Sequence, residues 1–153
     1  MSEVDLGGEI DAWLFAFLSE LSGAELRQLL RRIGKELRAS QAHRIKLNLN
    51  PDGSKFVPRK RTLRTKTGKI KRRQLMYQRI GNTKNLKLRT TANGIDIYFA
   101  GHASFVAKVA QFGWKASVNK LGLKHRYSVR QLLGLSKADK DIISDMILDY
   151  MAQ

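Results

Sequence analysis

Leu86-Lys87-Leu88-Arg89-Thr90-Thr91-Ala92-Asn93-Gly94-Ile95-Asp96-Ile97-Tyr98-Phe99 alternates twice and turns once. Leu86, Leu88 and Thr90 alternate with polar neighbours, and so do Ile95, Ile97 and Phe99. A period of two puts each set on one face of a strand. Asn93-Gly94 lies between the two runs and is the preferred pair for a tight hairpin turn. The stretch predicts an antiparallel hairpin with one apolar face.

The flanks read as helix. On the N-terminal side, Ile10, Trp13, Leu14, Phe17, Leu18 and Leu21 follow helical spacing, with Glu9 and Asp11 in the first turn, where the helix dipole favours acids. Ser22-x-x-Glu25 is a capping box that opens a second helix. Leu26, Leu29, Leu30, Ile33 and Leu37 carry its stripe towards Leu47, and Arg27, Arg31, Arg32, Lys35 and Arg38 fall largely on its other faces. Asn50-Pro51-Asp52-Gly53 stops it with a turn. Leu75, Met76 and Ile80 predict a short helical return ended near Gly81.

Beyond the hairpin, Phe105, Val106, Val109 and Ala110 predict a short helix stopped by Gly113, and Trp114, Ala116 and Val118 alternate as in a strand. Ser128-x-x-Gln131 predicts a single helical turn closed by Gly134. Ser136-x-x-Asp139 opens a last helix striped by Ile142, Ile143, Met146, Ile147 and Tyr150. The expected class is α+β: N-terminal helices, a small antiparallel sheet with a hairpin, a short helix and a C-terminal helix. At 153 residues, with no internal repeat, the chain 1–153 reads as one domain.

Charge is strongly segregated. The net charge is +16, yet residues 1–26 hold six acids (Glu3, Asp5, Glu9, Asp11, Glu20, Glu25) and no Lys or Arg. Residues 136–153 set Lys137 and Lys140 against Asp139, Asp141, Asp145 and Asp149. The middle of the chain opposes its many cations with Glu36, Asp52 and Asp96. Such a field favours polyanions or an acidic partner surface. The densest part is Arg59, Lys60, Arg61, Arg64, Lys66, Lys69, Lys71, Arg72 and Arg73, with no acid among them. Residues 54–74 therefore read as an exposed basic arm or loop. Its want of aromatics disfavours base stacking and favours contact with phosphates or with an acidic protein surface.

Several chemistries find no support. There is no cysteine, so no disulfide and no thiolate. No P-loop, dinucleotide-binding glycine motif or nucleophile elbow is present. His43, His102 and His125 have no metal-ligand spacing. We expect no cofactor, no metal and no catalysis. The apolar run Trp13–Leu18 is short and lies between Asp11 and Glu20, so neither a signal peptide nor a membrane contact is expected.

Four ordered segments resemble the phage virion morphogenesis (tail completion protein S-like) family. The first is Asn50-Pro51-Asp52-Gly53-Ser54 with Phe56, Pro58, Arg59 and Lys60. The second is Met76–Ile80, and the third is Val109-Ala110-Gln111-Phe112-Gly113, where Ala110 replaces a frequent histidine. The fourth is Arg130-Gln131-Leu132-Leu133-Gly134-Leu135-Ser136-Lys137-Ala138-Asp139, where Tyr127-Ser128 replaces the usual tyrosine-proline before it. The resemblance implies a structural virion protein that completes the tail and prepares the head–tail junction as a six-fold ring. It implies tail tube or sheath proteins and head-connector proteins as partners, and places DNA in the channel within reach. The ring reading makes Arg130, Gln111 and Phe112 candidate subunit contacts, while Leu132, Leu133, Gly134, Leu135 and Ser136 read as core and punctuation. The alternative is a small cytoplasmic nucleic-acid-binding protein of ribosome-associated type, which accounts for the charge but not for the four motifs.

Overall fold

The computed structural model describes residues 12–59, 74–92, 94–117 and 120–153. Its elements are α1 (Ala12–Glu20), α2 (Gly23–Lys46), β1 (Leu86–Thr90), β2 (Ile95–Phe99), α3 (His102–Phe112), β3 (Lys115–Ser117), β4 (Lys124–Arg126) and α4 (Lys137–Met151). The class is α+β, as the sequence predicts. The Ile10 start of the first helical stripe, Asn93, Val118 and the arm from Lys60 to Arg73 lie outside the described residues.

α2 is the central element, 24 residues long and so about 36 Å from end to end. Its capping box forms: Glu25 N donates to Ser22 Oγ, and Ser22 N donates to the Glu25 carboxylate. Leu29, Leu30, Ile33, Leu37 and Ile45 are buried along it. The apolar face of the β1–β2 hairpin, with Leu86, Ile95, Ile97 and Phe99 buried, joins the same core. Gly34 permits this approach. A Cβ there would stand 2.6 Å from Leu88 Cδ1 and 3.0 Å from Ile95 Cγ2, so the conformational cost of a mid-helix glycine is offset by close packing. α4 packs on α2 through Ile143 and Ile147, and α3 packs on β2. Gly113, at φ 64, stops α3 in the left-handed conformation.

The hairpin forms as expected, with Thr90 opposite Ile95 and Thr91 N donating to Gly94 O at 2.9 Å. Two local expectations are corrected. First, residues 76–80 form no helix: turn structure starts only at Gln78. Both backbone groups of Met76 are taken by the Asn48 side chain, at 2.8 and 2.7 Å, and Tyr77 has φ 59. Neither condition suits a right-handed helix. Second, Ser128–Gln131 forms no helical turn. Its backbone donors are bound elsewhere, Arg130 N to Ala110 O and Gln131 N to Asn50 Oδ1.

Residues 114–127 add a feature that alternation alone did not specify. β3 and β4 pair with each other as a second antiparallel hairpin, Lys115 opposite Arg126.

Candidate assembly surface and the polar hub behind it

The second half of α2 carries Gln41 and Arg44 in line with its buried stripe, and Asn48, at φ 56, lies buried just past the helix end at Lys46. A buried polar side chain must find partners. Asn48 finds them in Ile45 O and the backbone of Met76, whereas Gln41 and Arg44 find them chiefly in the loop from Arg130 to Ser136. Gln41 Nε2 donates to Gly134 O and to Asp139 Oδ2, both at 2.9 Å, and Gln41 Oε1 accepts from Gly134 N and Arg44 Nη2. The Arg44 guanidinium donates to the carbonyls of Leu49, Gln131 and Leu132. Burial pulls its pKa below the ordinary value, and the charge of Asp139 opposes that shift. Asp139 is fully buried and accepts from Ser40 Oγ, Gln41 Nε2 and Ser136 N. It thereby closes the capping box of α4.

Other segments grip the same loop. Asn50 Oδ1 accepts from Gln131 N at 2.9 Å, while the Asn50 amide donates to Ser54. Pro51 lies so close to Gly134 that a Cβ there would meet Pro51 Cγ at 2.6 Å. Asp52 accepts from Ser54 N and Oγ, which holds its pKa below the usual carboxylate range. Gly53, at φ 86, completes the turn. Gln111 clamps Leu133 at both backbone groups, at 3.0 and 3.1 Å. Leu132 and Leu133 are buried, and Leu135 packs partly against the core. The segments from Asn50, Gln111 and Arg130 thus meet in one polar hub.

Arg130 is 5% exposed and donates from Nε to Val57 O and from Nη2 to Pro58 O within the subunit. Gln111 is likewise occupied by its clamp. Phe112 differs: it is half exposed and stacks on half-exposed Trp114, ring centroids 5.6 Å apart. Val129 is also about half exposed and sits against Gly113. Phe112, Trp114 and Val129 form an apolar edge, the kind of surface that marks an interaction site. The β3–β4 hairpin extends from it and exposes Leu121 and Leu123 at 93% and 64%.

The basic stretch is described only at its start. Arg59 donates to Gln74 O, which joins the two ends of the arm. Lys60, Arg61, Arg64, Lys66, Lys69, Lys71, Arg72 and Arg73 lie outside the described residues. Among the described residues no group of His, Asp and Glu is placed to hold a metal, and no helix is long and apolar enough to cross a membrane.

Sequence reasoning missed Gln41, Arg44 and Asn48. For Gln41 and Arg44 the signal was available: polar residues standing at apolar positions of a helical stripe. It missed Leu121 and Leu123 because two isolated leucines carry no exposure signal.

Residues 7–152 match the phage virion morphogenesis family. Tail completion protein S of Escherichia phage P2 is 31% identical over 140 residues, covering 90% of this chain and 92% of that protein. No solved structure matches the chain.

Proposed function

The chain belongs to the phage virion morphogenesis family, and from that premise we propose that it completes the phage tail as a ring of identical subunits at the head–tail junction. Its role in tail assembly is structural rather than catalytic. The observation that carries the reading is the likeness to a tail completion protein along 90% of the chain. The apolar edge at Phe112, Trp114 and Val129 supports it, since a tail component must present a face that buries on assembly. The remaining partners are tail tube or sheath proteins on one side and head-connector proteins on the other. DNA in the channel, contacted without regard to sequence, is the candidate partner of the basic arm.

The test is genetic and visual. A phage lacking this chain should accumulate heads and tails that do not join, or tails of faulty length. Supplying the chain should restore infectious particles, and labelled protein should appear at the head-proximal end of the tail. Joined particles of normal length without the chain would overturn the reading.

A further inference from the structure

We propose that the β3–β4 hairpin of one subunit docks into the acid-rimmed groove between α2 and α4 of a second copy. This deepens the ring reading and rests on it.

The hairpin has the properties of an inserted element. Its two strands pair with each other and with no third strand among the described residues. A lone two-stranded hairpin is marginally stable in water. Leu121 and Leu123 are the most exposed large apolar residues described. Around them stand Lys115, Lys120, Lys124 and Arg126, all exposed, and residues 114–127 contain no acid.

The groove is its chemical complement. Leu29, Ile142, Met146 and Tyr150 give it an apolar floor, and its volume is about 310 Å³. A water takes about 30 Å³, so the space suits side chains. Glu36, Asp145 and Asp149 line the same groove, with Arg32 as an opposing charge. The balance there is acidic. Among the described residues, neither these carboxylates nor the cations of the hairpin have an ion pair within the chain.

The geometry of the pair selects a second copy as the occupant. Hairpin and groove share no residue, so one subunit can use both at once. Neither is self-complementary, because like charges directly opposed are repulsive. A two-fold pairing of hairpin on hairpin is therefore disfavoured. The contact is heterologous, and a heterologous contact closes into a ring when its rotation permits.

The test is a charge swap on two exposed residues. Lys124→Glu and Asp145→Lys should each leave the melting temperature unchanged and weaken self-association by about tenfold or more. The double variant should recover, because the carboxylate placed on its hairpin again meets an opposite charge in the groove. Sedimentation equilibrium on the full chain reads the result. Unchanged association in both single variants, or no recovery in the double, would overturn the proposal.

If wild-type protein associates only on tails, cross-linking replaces sedimentation. The chain has no cysteine, so Leu121→Cys with Met146→Cys is a clean probe. Tails carrying that pair should give a ladder of linked copies on a non-reducing gel, and tails carrying either cysteine alone should not. A monomer band only, or a link from position 121 to a different tail protein, overturns the contact. Failure of the wild-type chain to reach tails would overturn the tail reading instead. The swap in purified protein then decides the contact independently, and a chain that is monomeric everywhere overturns both.

Discussion

Asp139→Ala is the sharpest probe of the hub. Asp139 is fully buried and accepts from Ser40 Oγ, Gln41 Nε2 and Ser136 N. It is also the opposing charge for buried Arg44. Removing it takes the acceptor from the α4 cap, which by itself costs about 1 kcal/mol. It leaves Ser136 N and one amide hydrogen of Gln41 without an acceptor, at about 1–3 kcal/mol for a buried orphan. These effects overlap, because they count the same bonds from different ends, so the expected total is about 2–4 kcal/mol. For a chain of this length that lowers Tm by about 4–16 °C. Asp139→Asn keeps the shape and one acceptor and should cost less, about 1–3 kcal/mol. Urea unfolding of both variants, beside Gln41→Ala and the Asp139→Ala/Gln41→Ala double, measures the coupling directly. A coupling below about 0.5 kcal/mol, or a total cost for Asp139→Ala under about 1 kcal/mol, would refute the hub as a cooperative unit.

Arg130→Ala should destabilise the free subunit by about 1–3 kcal/mol, because Val57 O and Pro58 O lose a charged donor; a wild-type melt combined with failed assembly would instead make Arg130 a subunit contact. Leu132→Ala, at a fully buried site, should cost about 2–5 kcal/mol in the same melts. Replacing Arg64, Lys66, Lys69 and Lys71 with glutamine tests the arm: loss of head joining, with a steep log-linear salt dependence of DNA binding in the wild type, identifies phosphate contact, whereas loss of the subunit from tails identifies protein contact. The lowered pKa of Asp52 means that its contribution is full at neutral pH and is lost as pH falls through the lowered value. Asp52→Asn should therefore flatten the acid limb of stability against pH, and an unchanged limb would place the acid sensitivity elsewhere.

What the sequence disclosed follows from where each signal is stored. The capping boxes at Ser22 and Ser136 are local, involving residues three apart, and both form. The hairpin's faces were legible because alternation is a local signal, and Leu86, Ile95, Ile97 and Phe99 are buried together. Met76–Ile80 and Ser128–Gln131 depart from the helical reading because their backbones are bound from afar. In both, the backbone is bound by distant residues, Asn48 in one case and Asn50 with Ala110 in the other. Local propensity cannot register a competitor some twenty to eighty residues away.

The same reasoning separates the motifs from the interface. Asn50, Gln111 and the Arg130–Asp139 segment are recognisable because the hub demands specific donors and acceptors at fixed places. Few substitutions keep an amide such as Gln111 bonded to both backbone groups of Leu133. An assembling face makes a looser demand, an apolar centre with a rim of one charge, which many residue choices satisfy. The family match spans residues 7–152 and so takes in the hub. The face that meets a neighbour has to be found from exposure and unpaired charge, and here those converge on Leu121 and Leu123 with their lysines and on the acids of α4. On this argument, hub variants should fail as free subunits, whereas hairpin and groove variants should fold normally and fail only when subunits meet.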